Sequence, residues 1–303
     1  MDAGAKPVHD GAMFTLAHLS DPHLAPLPRP RWHELLNKRV TGFINWQRKR
    51  RFVHNPIVLA ALVADLKAAK PDHIAITGDF VNIALRAEFD HARAWLEAIG
   101  PAESITAIPG NHDAYIAGTL AIMQRAVGGY MRGDGSGEYP FVRKRGPVAL
   151  IGLSSAVPTL PFMATGRLGD AQIGRLAAQL GQLAQAGLFR VVLIHHPPVS
   201  RQPAHKRLTD ASEFLRAIAA QGAELIIHGH DHVQALVWLD GPHGRVPAIG
   251  VPSASAAPGD GESAAYNLYR IGGEPGAWRC DMEMRGTRAD GSIAALKRVT
   301  LIG

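Results

Sequence analysis

Cysteine is nearly absent: the 303-residue chain has one, Cys280. That excludes an intrachain disulfide and any thiolate-bound zinc site, so a metal centre has to be built from His, Asp, Asn or Glu. A lone thiol also fits a reducing compartment. Long apolar runs are missing as well. The run around Val58–Val63 ends at Asp65, too short to span a bilayer. The opening "MDAGAKPVHDGAMF" is a polar, loose leader without the apolar stretch of a signal peptide, which points to a cytoplasmic protein. Cys280 itself reads as a small apolar residue.

What is present is an ordinary globular composition, 47% hydrophobic and 19% charged. No repeat and no linker interrupts it, so one domain over residues 1–303 is expected. The net charge of +6 is unevenly spread. Residues 29–51 carry eight basic side chains against the single acid Glu34, a net of +7, which leaves −1 for everything else. The basic character is therefore local and calls for a local explanation.

Apolar strands alternate with amphipathic helices and then give way to β structure. Strands are expected at 13–20, 72–77, 104–108, 189–194 and 223–228, with a hairpin at 139–154. Helices are expected at 56–70, 86–100, 114–127, 170–187 and 210–222. Short strands follow near 233–239, 246–251, 265–271 and 277–284. A Pro- and Arg-rich interruption fills 24–56, and Gly128–Gly137 is a glycine-rich loop.

Five strand ends carry "DPH", "GD", "GNHD", "HHPP" and "GHDH". Each alone is weak, because a lone histidine beside a strand is more often a hydrogen-bonded structural residue. Together they deliver Asp21, His23, Asp79, Asn111, His112, His195, His196, His230 and His232 to one sheet edge, where open α/β sheets bind ligands. Imidazole and carboxylate donors suit zinc, iron, manganese or nickel. A pair of such metals usually shares a carboxylate, and Asp79 is the natural bridge. Gly78, Gly110 and Gly229 precede key residues and allow close backbone approach.

The motif set D-x-H, GD, GNHD, H-x-P and GHxH, in this order over residues 14 to 255, resembles the calcineurin-like metallophosphoesterase family. The resemblance implies an α/β (α+β) fold, a four-layer αββα sandwich of two mixed β-sheets flanked by helices. It implies two divalent or trivalent transition-metal ions, manganese, iron or zinc. Asp21, His23 and His232 would hold the first ion and Asn111, His195 and His230 the second, with Asp79 bridging. His112 would sit beside the phosphate, with Asp79 and Asn111 sharing the catalytic work, and His196 would stand behind the ligands. Pro22 is a tolerable departure in the first motif. The reaction expected is in-line attack on a phosphodiester by a metal-bridging hydroxide. His112, if protonated, would give a proton to the leaving alkoxide.

GNHD with HHPP resembles the cyclic-nucleotide and glycerophosphodiester branches of the family. The runner-up is a pyrophosphatase of a nucleotide-linked lipid, similar to UDP-2,3-diacylglucosamine hydrolases, although the best-known members of that branch carry Arg where His112 stands. A metal-free interaction scaffold, as in retromer-type subunits of this fold, is the non-enzyme alternative; no ligand position is substituted here.

The segment "RWHELLNKRVTGFINWQRKRRF" sets Trp32, Leu35, Leu36, Val40, Phe43, Ile44 and Trp46 beside the basic residues. The pattern fits a helical hairpin, greasy on one face and cationic on the other, overhanging the site as a cap at 24–56. Such a surface could greet a small-molecule or lipid-linked phosphoester. It could also lie on anionic lipid at the inner membrane face through 29–51, or simply pack the cap onto the core. Nucleic acid is a weaker fit. His54 and His205 are expected outside the site, and Ser253 and Ser255 near its rim. In "ELIIHGHDHVQAL" the three alternating histidines split. His230 and His232 serve different metals, His228 packs beneath, and Asp231 points away.

Overall fold

The computed structural model describes residues 13–135, 138–259 and 261–303. The leader at 1–12 and two positions of the glycine-rich loop lie outside the described residues. The strands are β1 (Phe14–Leu19), β2 (His73–Ile76), β3 (Ile105–Ala107), β4 (Phe141–Arg145), β5 (Val148–Gly152), β6 (Phe189–Leu193), β7 (Leu225–His228), β8 (Ala235–Gly241), β9 (Gly244–Gly250), β10 (Ala265–Glu274), β11 (Ala277–Thr287) and β12 (Ile293–Ile302).

They form two six-stranded sheets, ordered β12-β11-β10-β1-β2-β3 and β4-β5-β6-β7-β9-β8. Both are mixed. β1, β2 and β3 run parallel, while β10 joins β1 antiparallel. In the second sheet β5, β6, β7 and β9 are parallel, and β4 and β8 cap the edges antiparallel.

The central strands are mostly apolar and nearly all buried because both faces are covered. In β7, Leu225 and Ile227 point into the core between the sheets, and Ile226 points to the helices outside. β6 splits the same way, with Val191 and Leu193 inward and Val192 outward. Cys280 packs between the sheets as a small apolar residue. Helices Pro56–Ala68, Arg86–Ile99 and Thr119–Val127 cover the first sheet, and Asp170–Gln185 and Ala211–Gln221 cover the second. Helix, sheet, sheet and helix thus make the four layers expected.

Three details depart from the sequence reading. The helix expected from 114 begins at Thr119, because Gly118 takes a left-handed φ of 84° and breaks the preceding turn. β12 was not expected. It is an edge strand with one buried residue, Leu301, and its pairing with β11 shifts register twice, which interrupts its apolar alternation. The third departure is the segment 24–56, which is no hairpin. A single 3-10 turn, Trp32–Leu35, precedes helix Arg39–Asn45, which widens through one π turn at Trp46–Arg50 into a last turn, Arg51–Val53.

Candidate metal centre

The C-terminal ends of β1, β2 and β7, and the loops after β3 and β6, converge on one point. The loops that make this point are held by main-chain donors. The Asp113 carboxylate accepts from the N–H groups of Asp79, Phe80, Val81 and Gly110 at 2.8–3.2 Å. Glu88 likewise accepts from Asn82, Ile83 and Leu85. Asp21 N–H donates to the Gly78 carbonyl and His23 N–H to the Asp79 carbonyl, each at 3.0 Å. Gly78 sits at φ 99°, and a Cβ there would lie 2.5 Å from the Gly110 nitrogen.

This scaffold holds strain where the chemistry would be. Asp21, His23, Asp79, His230 and His232 all have positive φ, between 37° and 68°. Such backbone costs of order 1–3 kcal/mol per residue and persists only where its surroundings fix it.

The side chains gather into two overlapping groups. In the first, His232 Nε2 lies 3.1 Å from Asp21 Oδ1 and 3.4 Å from His23 Nε2. In the second, Asn111 Oδ1 lies 3.1 Å from His195 Nε2 and 2.8 Å from His230 Nδ1. Asp79 Oδ2 belongs to both, 3.8 Å from His23 Nε2 and 3.5 Å from His195 Nε2. Asp21, His23 and His232, and likewise Asp21, Asp79 and His195, present ligand atoms within 4.8 Å of one another.

The proton positions say what these groups await. His195 Nδ1 faces the Thr77 carbonyl at 2.6 Å, His23 Nδ1 the Val81 carbonyl at 3.2 Å, and His230 Nε2 the Lys206 carbonyl at 2.7 Å. A carbonyl only accepts, so each of those nitrogens carries a proton, and in a neutral ring the other presents a lone pair inward. In the second group, acceptors therefore face acceptors with no donor between them, an arrangement that a cation or an added proton reconciles. Burial opposes charge on His195, yet the Asp79 carboxylate outweighs it and holds the imidazole up to about 9. Burial also opposes ionisation of Asp21 and Asp79, but His232 and His195 respectively keep both carboxyls low. The donor set fits two cations bound through nitrogen and oxygen.

The remaining predicted residues fall around these groups. His196 has protein partners on both nitrogens, Ser155 Oγ at 2.8 Å and the Ala164 carbonyl at 3.2 Å, while a ring nitrogen of it also lies within 4.8 Å of ligand atoms of His195 and His230. His228 is buried against the Gly229 carbonyl and belongs to neither group. Asp231 turns away and accepts from Ser200 Oγ at 2.8 Å. Ser253 is fully inside, donating to the Asp21 carbonyl at 2.7 Å, rather than on the rim. Its neighbour Ser255 bonds His54 Nδ1 at 2.9 Å.

His54, expected outside, is at the site. Its ring centroid lies 4.4 Å from that of His23, and it stacks on Trp46 with 5° between planes. Reading along the sequence gave no motif for it; its signal is its position two turns after the buried Trp46. Arg50 was read only as one of the cations on the cap's basic face and is the larger miss. Its guanidinium enters the site and lies 2.7 Å from His112 Nε2 and 3.0 Å from His23 Nε2. The π turn that ends at Arg50 is the structural signal, since such widened turns recur at functional sites.

His112 Nδ1 donates to the Asn82 carbonyl at 2.6 Å, so Nε2 accepts from Arg50. Burial and then Arg50 hold His112 down to about 3 and His54 to about 2, with His23 well below its ordinary value. His112 is thus neutral in this arrangement, whereas the acid role expected of it needs a proton.

These groups open on a cavity of about 780 Å³. Asp79, Asn111, His112, His230 and His232 form its floor, and the 24–56 segment contributes Lys38, Ile44, Trp46, Arg48 and Arg50 to its wall. Arg39 anchors that wall by donating to the carbonyls of Ile83 and Ala84.

The sequence pattern of the calcineurin-like phosphoesterases matches residues 14–234. A protein of Synechococcus sp. described as a probable cyclic nucleotide phosphodiesterase is 31% identical over 232 residues, 73% of this chain and 79% of that protein. A dimetal phosphatase from Danio rerio is similar in fold, with a TM-score of 0.63 at 14% identity over 95% of this chain and 98% of that one. A purple acid phosphatase from yellow lupin seeds is also similar, with a TM-score of 0.59 at 12% identity over 96% of this chain and 54% of that one.

Proposed function

The chain belongs to the calcineurin-like phosphoesterase family and is a phosphoester hydrolase, and from that premise we propose that it is a two-metal phosphodiesterase. The observation that carries this reading is Asp79 Oδ2, which stands within 3.8 Å of a histidine ring nitrogen from each group. Asp21, His23 and His232 would hold one cation, Asn111, His195 and His230 the other, and Asp79 both. When bound, such a pair supplies an activated water nucleophile at neutral pH and offsets charge on the phosphoryl oxygens.

The chain's own groups do the rest. Asn111 presents its amide at the floor of the cavity, where charge develops on phosphorus substituents. His112 holds Arg50 through Nε2. Arg50 is proposed to release His23 and turn its freed N–H groups to a non-bridging phosphoryl oxygen, as a planar, always charged donor is suited to do. The cavity volume of about 780 Å³ accommodates a nucleotide-sized diester. The diester preference draws on the description of the Synechococcus relative. Manganese, iron and zinc all suit the donors.

A second reading, cleavage of a nucleotide-linked lipid pyrophosphate, is favoured by one observation. The cavity rim carries Ile44 and Phe162, the latter 84% exposed.

Turnover of bis(p-nitrophenyl) phosphate with added manganese, and of cyclic AMP against UDP-diacylglucosamine, tests both. Hydrolysis of the diesters and not of the lipid supports the first reading. No turnover of any diester, together with no bound metal, would return the chain to a scaffold role.

A further inference from the structure

The cavity rim leaves apolar side chains uncovered. A helix on a globular protein normally turns its apolar stripe to the core. In the helical run from Arg39 to Val53 the inward positions include Arg39, Trp46 and Arg50. The outward stripe is Val40, Ile44, Arg48 and Phe52, four residues apart in turn. Phe52 is 65% exposed, and Trp32, in the preceding turn, is 76% exposed. Across the mouth, Leu160 and Phe162 are more than two-thirds exposed as well. The two sides are tied together, since Lys38 Nζ donates to Thr159 Oγ1 at 2.7 Å and to the Met163 carbonyl at 3.3 Å. Ile44, Arg48, Phe162 and Met163 also line the cavity, so the apolar patch is continuous with its mouth.

The patch is cationic too. With Arg39 and Arg50 turned inward, Arg29, Arg31, Arg48, Lys49 and Arg51 remain at the surface. Glu34, the one acid in 29–51, is engaged by the Arg31 N–H at 2.8 Å. Cations beside large apolar side chains match an anionic bilayer: the apolar groups enter the headgroup boundary and the cations meet lipid phosphates. A nucleic acid would meet the charge but leave Val40, Ile44, Leu160 and Phe162 against water-facing phosphate and sugar.

We propose that this rim docks on an anionic lipid surface and holds the cavity mouth against it. This inference does not rest on the phosphodiesterase reading.

The test is co-sedimentation of the full chain with vesicles of phosphatidylcholine alone and of phosphatidylcholine mixed with phosphatidylglycerol. Partition onto the mixed vesicles at low salt, weakened by salt and weak on phosphatidylcholine, is expected. Lys49→Gln with Arg51→Gln should lower that partition by tens of fold, on the order of fivefold per charge. Trp32→Ser with Phe52→Ser should lower it by a similar factor through lost apolar insertion. Neither pair lines the cavity, so both variants should still hydrolyse bis(p-nitrophenyl) phosphate in solution.

Absence of partition onto mixed vesicles, or partition unchanged in both variants, overturns the docking. Binding of an oligonucleotide that the charge variant loses, with no vesicle binding, assigns the surface to nucleic acid instead. If diester hydrolysis is absent while vesicle binding stands, the phosphodiesterase reading has failed and the docking has not.

Discussion

The strand ends and the 24–56 segment meet in one cavity but are held in opposite ways. At the strand ends, main-chain donors converge on Asp113 and Glu88, and five residues keep positive φ because nothing around them can relax. The 24–56 wall hangs on a few side chains: Arg39 on two carbonyls, Trp46 against His54, Lys38 on the far rim. Geometry that must be accurate to a fraction of an ångström is built from backbone, and geometry that need only cover a substrate is built from side chains. The difference teaches which region should fail all at once and which by degrees.

The largest effect is expected where the two groups share one carboxylate. Asp79→Ala should lower diester turnover about 10³-fold or more. Metal content, read by elemental analysis, should fall with it, as should turnover of the unmodified protein after chelation. Turnover that survives Asp79→Ala would show that the strand ends do not carry the chemistry.

Asp113→Ala tests the backbone side of the comparison without touching a candidate ligand. Four buried N–H groups would lose their acceptor, and unsatisfied donors cost about 1–3 kcal/mol each before water re-enters. A loss of about 3 kcal/mol or more in a urea unfolding curve is expected. A loss below about 1 kcal/mol would mean that the loops hold themselves.

Arg50→Ala tests the wall. A drop of about 10²-fold in kcat/KM is expected from losing one charged donor near the phosphoryl group. Metal content and thermal midpoint should not change, and Arg50→Lys should recover only part of the rate because a point charge replaces a planar fork. A rise in activity would make Arg50 an obstruction rather than a donor.

The same contrast explains what could be read in the sequence. Asp21, His23, Asp79, Asn111, His195, His230 and His232 were legible because each follows an apolar strand that fixes its destination. Glycines at 78, 110 and 229 marked the crowded approaches, where a Cβ would strike the Gly110 backbone, Asp79, and Ser20 with Asp21, respectively. Arg50 and His54 were not legible. A basic run looks alike whether its members face water or a cavity, and the π turn that rotates Arg50 inward has no residue signature. Asp113 was hidden by its neighbours: GNHD draws attention to Asn111 and His112, while the aspartate works entirely through backbone N–H groups. β12 was not legible because its two register shifts against β11 break up its apolar pattern.

The smallest expected effect separates the histidines at the strand ends from one at the opposite end of the same sheet. His73 opens β2, is fully buried, and bonds Thr106 Oγ1 at 2.7 Å. Burial, followed by the nearby arginines, pushes it down to about 3. The unfolded chain titrates near 6.5, so between the two values the folded form binds fewer protons. Stability present at neutral pH is therefore lost as pH falls below 6.5 and continues to fall toward 3. One such group contributes a slope of up to about 1.4 kcal/mol per pH unit. His73→Asn keeps a hydrogen-bonding group but removes the titration. Its urea midpoint, compared with that of the unmodified protein from pH 7 to pH 4, should start lower and converge as pH falls. Parallel curves would mean that His73 does not titrate on unfolding. The acid sensitivity of the fold would then belong to other buried groups, such as His18 within β1, which burial pushes down to about 3.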